Sequence, residues 1–373
     1  MESYGQLKLE LIRKGLVVPD EVRDVSEVIG GYCDGRPGDE IVLSLAENFI
    51  VKVPIKETGQ SQPTLNLVNG KVKLRSMDKE IEVNIVPLPN FVREQMKKRS
   101  PISENACIDG YCMNLFLRAV GQKNRLNLSQ ETILSVIKAA FEEGAADLIQ
   151  LNMDYCREPD RGLTRLAPVV KAIKKEFSTF IALRGFPPKD KQFLDRVYAA
   201  GIDLLNFPLE GFVGFPKKED VISQPLVYGA LEYAAKIFPP GTVWTELFLE
   251  PGSIDPLKDK IAYLTKKGIL PLLRLTTPSI ATEEYSHNVI EVARYLETNV
   301  QNSRLPLKWL FPHCRYMSPL DTGFFLDPTD KAKLNAKPVY KSLLGRKTLE
   351  GYTKLRRKLR IKDVSDSYES AGL

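Results

Sequence analysis

The stretch Ser129-Gln-Glu-Thr-Ile-Leu-Ser-Val-Ile-Lys-Ala-Ala-Phe-Glu-Glu-Gly144-Ala-Ala-Asp-Leu-Ile-Gln-Leu151 decides the fold class. Ser129 can cap a helix, because its hydroxyl can accept from a backbone N–H left open in the first turn. Ile133, Val136, Ile137 and Ala140 repeat at helical spacing and form one apolar face. Gly144 can end the helix, since only glycine enters the left-handed region without steric cost. The apolar run Leu148 to Leu151 then reads as a buried strand. The same grammar recurs at Ala200-Gly201 before Ile202 to Phe207, and at Lys267-Gly268 before Ile269 to Leu275. Helix, glycine stop and buried strand in repetition predict βα units around a parallel sheet.

Such strands are expected near Ala106, Ile149, Ile181, Leu205, Leu247, Leu272 and Leu310, with six helices between them. The expected fold class is α/β, a partial parallel (β/α)6-type TIM-like barrel. No Gly-x-Gly-x-x-Gly opens any of these helices, which weighs against a Rossmann sheet. Upstream, Gly38 to Leu88 alternates at period two, and Asn69-Gly70 marks a hairpin between Leu65-x-Leu67 and Val72-x-Leu74. This predicts a small antiparallel β domain. Expected boundaries are residues 1–98 for an N-terminal helix plus β-meander, 99–328 for the barrel and 329–373 for a basic C-terminal tail.

Composition sets outer limits. Of 373 residues, 43% are hydrophobic and 27% charged, which is globular. No apolar run approaches the ~20 residues of a membrane helix, and Met1 to Gly15 lacks the apolar core of a signal peptide. A cytoplasmic protein is expected, with no membrane contact. The formal net charge is +6. Its basic residues gather between Lys331 and Lys362, but no RNA-binding motif accompanies them, so nucleic acid is not an expected partner. Five cysteines, an odd number, argue against a disulfide framework.

In parallel β/α folds the reactive groups sit where strands end and βα loops converge. That rule selects Cys107 and Cys112 after the first strand, and Asn152, Asp154, Tyr155 and Cys156 after the second. It selects Arg184 after the third, Asn206 and Glu210 after the fourth, and Glu250 after the fifth. Glu246 points to the same side as Glu250 by alternation. Thr276, Thr277, His313 and Cys314 end the later strands. Sulfur suits soft iron or zinc, although cysteines are also common as small buried apolar groups. Glu210 and Glu250 end apolar strands and need either a ligand or Arg184 as partner.

The stretch Leu128 to Glu210 resembles the barrel of biotin-synthase-like enzymes of the radical S-adenosylmethionine superfamily. The likeness rests on the Leu-Ser-Gln-Glu helix opening, the Glu-Gly-Ala helix end and Val170-Lys-Ala-Ile-Lys-Lys-Glu-Phe177. It continues through Ala200-Gly-Ile-Asp203, Asn206-Phe-Pro-Leu-Glu210, Leu247-Phe-Leu-Glu250 and Gly268-Ile-Leu-Pro271. The resemblance implies a [4Fe–4S] cluster on three cysteines, with S-adenosylmethionine on its open iron. Cys107 and Cys112 would be ligands; the third position carries Leu115, so either Cys156, one strand over, supplies the third sulfur or no cluster of the usual type forms. Asn152, Asp154, Arg184, Asn206, Glu210 and Glu250 would hold the cofactor. The implied function is a radical enzyme with an atypical iron–sulfur site in cofactor or small-molecule biosynthesis, its partner a small-molecule substrate or a carrier protein. The alternative is a clusterless accessory or binding subunit that docks a partner protein. A barrel lyase or aldolase is a weaker third reading, because no lysine is placed at a strand end.

Overall fold

The computed structural model describes residues 3–25, 40–46, 49–57, 62–76, 79–86, 88–97, 105–110, 112–120, 125–156, 158–209, 222–250, 252–275, 283–314, 316–326, 347–348, 351–352 and 354–358. It is a mixed α/β fold whose larger sheet is curled and mostly parallel, TIM-like in form. No helix among the described residues is long and apolar enough to cross a membrane.

The smaller sheet has seven strands. They are β1 (Leu16–Val17), β2 (Glu40–Ala46), β3 (Phe49–Lys56), β4 (Thr64–Val68), β5 (Lys71–Ser76), β6 (Lys79–Glu82) and β7 (Asn84–Ile85), in the order β6-β5-β4-β1-β3-β2-β7. The hairpin at Asn69-Gly70 is present, with Val68 opposite Lys71 and positive φ at both turn residues, 52° and 76°. That double left-handed turn matches the strand twist. One strand departs from the expected meander: β1 follows the helix Tyr4–Lys14 and pairs parallel with β3 and β4.

The larger sheet begins with β8 (Ala106–Asp109) and β9 (Cys112–Leu117). After the small pair β10 (Ala119–Val120) and β11 (Arg125–Leu126) it continues with β12 (Leu148–Met153), β13 (Ile181–Arg184), β14 (Leu204–Asn206), β15 (Val243–Leu249), β16 (Leu270–Leu275) and β17 (Tyr316–Met317). Its order is β17-β16-β15-β14-β13-β12-β9-β8. The six strands from β9 to β16 are mutually parallel, and β8 and β17 flank them antiparallel. Ser129 caps the helix Gln130–Glu142 by accepting from the Thr132 N–H, and Ile133, Val136, Ile137 and Ala140 are buried.

Two strand expectations change. The first parallel strand is β9, not the run near Ala106. Asp109 lies opposite Cys112 in an antiparallel hairpin with Gly110 at φ 61°. The chain therefore runs down β8 and back up β9. The seventh strand expected near Leu310 is not part of the sheet; only Tyr316–Met317 pairs, antiparallel to β16.

Among the described strands no backbone ladder joins β8 to β17, and the gap is filled by the segment Leu310–Cys314. A Cβ on Gly110 would stand 2.6 Å from the Pro312 carbonyl oxygen, so the two chains touch backbone to backbone there. The Cys314 N–H donates to Asp109 Oδ1 at 2.9 Å. From the other side the fully buried Lys8 ammonium donates to the carbonyls of His313 (3.1 Å) and Tyr316 (3.4 Å). Phe49 of β3 stacks on Phe324 and meets Phe325 edge-on. The β unit and the curled sheet thus share one continuous apolar core.

Candidate functional site

Alternation along the parallel strands separates two faces. Ile149, Leu151, Leu183, Leu205, Leu247, Leu249 and Leu273 face the helices and are buried. The residues between them turn inward, and many are polar: Asn114 on β9, Gln150 and Asn152 on β12, Arg184 on β13, Asn206 on β14, Glu246 on β15 and Arg274 on β16. The register sets Phe116, Asn152, Arg184 and Asn206 side by side in one row. A barrel interior that served packing alone would be filled with branched apolar side chains. This one encloses a cavity of ≈ 320 Å³.

Its centre is an ion pair. Arg184 donates twice to Glu246, Nε to Oε1 at 2.6 Å and a terminal nitrogen to Oε2 at 2.8 Å. Asn206 Nδ2 adds a third bond to Oε1 at 2.7 Å, and the Tyr316 hydroxyl a fourth to Oε2 at 2.9 Å. Burial alone would raise the Glu246 carboxyl, but the adjacent guanidinium and these donors outweigh it and hold the group below its ordinary value. Burial and the neighbouring carboxylate push the Tyr316 phenol upward. The net result is an ionised, fully coordinated carboxylate.

Beside this pair lies an amide cluster. Gln150 Nε2 donates to Asn114 Oδ1 and Asn152 Oδ1, each at 2.9 Å, and Asn152 Nδ2 donates to Asn114 Oδ1 at 3.1 Å. At the hairpin end, Asp109 accepts from the Cys314 backbone N–H and stands 3.8 Å from His313 Nδ1. Burial raises the Asp109 carboxyl, yet His313 and the Cys314 N–H together bring it below its ordinary value. At the mouth, Asp154 lies 3.8 Å from Arg118. Arg274 also lines the cavity, with its guanidinium 5.6 Å from the centre of the Phe248 ring. Among the described residues no carboxylate pairs with it.

Of the six expected cofactor-binding residues, Asn152, Asp154, Arg184 and Asn206 border this one cavity. Glu250 does not; it is exposed just beyond β15. Glu210 lies outside the described residues, as do Thr276 and Thr277. Arg184 takes Glu246 as its partner, the acid whose inward direction alternation indicated. Asn114, Gln150 and Tyr316 escaped the sequence reading because it looked only past the strand ends, and these residues stand within or against the strands.

The expected metal ligands Cys107, Cys112 and Cys156 are not brought together. Cys112 opens β9 opposite Leu148, the first residue of β12. Cys156 lies beyond Met153, the last residue of β12. Five steps of ~3.3 Å separate those two levels by roughly 16 Å, so the sulfurs sit toward opposite ends of the strands. Cys107 is disulfide-bonded, contrary to the expectation of reduced thiols, while Cys112, Cys156 and Cys314 are free. An odd cysteine count excludes complete pairing but permits a single bridge. Burial, with Asp109 nearby, pushes the Cys112 thiol well up and disfavours the thiolate that iron requires. Among the described residues no three His, Cys, Asp or Glu side chains are grouped to hold a metal. The donor set does not fit a [4Fe–4S] cluster on these three cysteines.

No family model matches the chain, and no curated protein matches it. Solved structures similar to it include a dihydropteroate synthase (folP) in complex with pteroic acid from Coxiella burnetii. The match has 16% identity over 52% of this chain and 70% of that one, with a TM-score of 0.30. Another is the 7,8-dihydropteroate synthase from Vibrio fischeri ES114, with 12% identity over 52% of this chain and 86% of that one, and a TM-score of 0.27.

Proposed function

We propose that this chain is a partial (β/α)6 barrel that binds a compact, anionic small molecule in its interior and works without an iron–sulfur cluster. The observation that carries the reading is the polar inner face: a charged pair with every strong acceptor position on Glu246 occupied, beside a cavity lined by Arg274. Ion pairs of this kind are expensive to bury, and an apolar barrel core of the same volume would stabilise the fold as well or better. Polar side chains retained against that penalty are those that meet a polar ligand. At ~30 Å³ per water, the cavity's ≈ 320 Å³ corresponds to about ten waters, the size of a small metabolite.

The charges indicate the sign of the ligand. Glu246 neutralises Arg184, Arg118 stands against Asp154, and Asp109 is held by His313 and the Cys314 N–H. Arg274 lacks a carboxylate among the described residues, so a phosphate or carboxylate on the ligand would complete its pairing. On this reading S-adenosylmethionine, a sulfonium held partly by cluster iron in the family that the sequence resembles, would lack that anchor.

Calorimetric titration with n-propyl phosphate and with inorganic phosphate tests the proposal. The wild-type protein should bind at least one, and Arg274→Gln should weaken it roughly tenfold, the worth of one charge-assisted contact. Equal binding by both proteins, or none by the wild type, would overturn it.

A further inference from the structure

On the outer surface, the helices Leu163–Glu176 and Gln192–Ala200 leave an apolar groove between them, with a volume of ≈ 380 Å³. At ~30 Å³ per water this is room for about a dozen, where close-packed elements leave few gaps larger than one. Leu163, Leu166, Val170, Val197 and Ile202 form its floor and are buried, and the half-buried Phe193 borders it. One exposed cation stands on each wall, Lys171 on the first helix and Arg196 on the second. Arg196 lies 5.2 Å from the centre of the Phe193 ring. Among the described residues no carboxylate pairs with either cation. Lys174, one turn beyond Lys171, is by contrast taken up by Asp203 and the Thr179 carbonyl. The groove therefore suits a segment that combines apolar side chains with acids.

The last described part of the chain is fastened at one end of this groove. Arg357 donates to the carbonyls of Tyr198 (2.7 Å) and Ile202 (3.2 Å) and to Asp203 Oδ1 (3.0 Å), and Arg356 reaches the carbonyls of Ile237 and Phe238. Residues 359–373 follow and lie outside the described residues. Their sequence reverses the sign of the stretch before them: after Lys362 come Asp363, Asp366 and Glu369, with no Lys or Arg. Ile361, Val364 and Tyr368 are spaced three and four apart, so on a helix they would share one face and the acids the other. We propose that residues 361–369 of this same chain dock in the groove, with the three apolar side chains on its floor and the acids against Lys171 and Arg196. The reach is sufficient. Four residues lead from Arg357 to Ile361 and span up to ~13 Å, and the wall from Phe193 to Ala200 is only ~10 Å long. Because the segment is tethered beside its site, its effective concentration is of millimolar order, and a modest affinity keeps it bound. The inference is independent of ligand binding in the interior.

Hydrogen exchange of the full chain, read by mass spectrometry, tests the docking. Amides of residues 361–369 should exchange more slowly than in a synthetic peptide of residues 359–373. Lys171→Glu with Arg196→Glu should speed them roughly tenfold, the worth of two exposed ion pairs. Both positions are exposed, so exchange elsewhere in the chain should stay as in the wild type. Val364→Ser with Tyr368→Ser, which keeps the charges and removes the apolar contacts, should release the segment as well. Asp363→Lys, Asp366→Lys and Glu369→Lys, added to the Lys171→Glu and Arg196→Glu chain, should restore slow exchange through the reversed pairs. Wild-type exchange as fast as that of the peptide would overturn the proposal, and so would slow exchange that neither the groove variant nor the tail variant alters. Protection that grows with protein concentration would also overturn it, because a second copy would then supply the segment.

Discussion

Replacing Glu246 by Gln is the sharpest perturbation of the interior, because the side chain keeps its shape and loses only its charge. Four hydrogen bonds converge on this carboxylate, two from Arg184 and one each from Asn206 and Tyr316. A glutamine presents one carbonyl oxygen in their place, and its amide group opposes a donor on the other side. Removing one partner of a buried ion pair costs about 3–5 kcal/mol. Arg184 keeps a quarter of its side chain exposed, so solvent screening puts the value near the lower end, about 3 kcal/mol. For a chain of 373 residues, an unfolding entropy of ~2.1 cal/mol/K per residue converts this to a fall in Tm of about 4 °C. Differential scanning calorimetry of E246Q reads it directly. The companion variant with Arg184→Met and Glu246→Met together should recover most of the loss, because it leaves no unpaired charge. If E246Q melts within about 1 °C of wild type, or the double variant is worse than the single, the pair does not organise the interior as argued.

Acid should weaken the fold in a defined window. Glu246 and Asp109 are held below their ordinary values, so their contribution is complete above about pH 5 and falls away as pH drops through the folded values; urea midpoints that stay level from pH 6 to pH 3.5 would contradict this. Burial holds the Cys112 and Cys314 thiols well above the ordinary value, so that part of the stability is complete below about pH 8.5 and declines as pH rises. Gly110→Ala should destabilise by about 2–3 kcal/mol, since it places a Cβ against the Pro312 carbonyl at a positive φ; a neutral result in denaturant titration would mean that this contact is not formed. Anaerobic incubation with iron and sulfide should leave the protein without a bound chromophore, and Cys112→Ala with Cys156→Ala should change nothing. Stoichiometric iron retained on those cysteines would reinstate the cluster expectation.

The repeating units were readable because each carries its own local signal. Ser129, the Ile133 to Ala140 face and Gly144 fix one helix without reference to the rest of the chain, and the structure keeps all of them. Strand direction is different, because it depends on pairing between distant segments. Asp109-Gly110 is a hairpin signal as good as Asn69-Gly70, but the flanking cysteines drew attention to metal chemistry and away from the turn. That single reversal moves Cys112 from the end of a strand to its beginning, and with it the sulfur set scatters. The cavity was half legible. Asn152, Arg184 and Asn206 stand at strand ends, where position alone selects them. Gln150, Asn114 and Glu246 sit within apolar runs, and only their alternation marks them as inward-facing. Tyr316 and His313 reach the site from a segment with almost no regular structure, which leaves no periodic trace.

Among the described residues, the line along which Leu310–Cys314 meets Gly110 and Asp109 is held by side chains and one N–H, whereas every other border between neighbouring strands of the curled sheet is laced by a backbone ladder. A curled sheet with one unlaced border has the fewest bonds to break there. The Lys8 ammonium grips that border by two carbonyls, so the N-terminal helix that carries it is tied to the edge of the curled sheet that no ladder among the described strands holds.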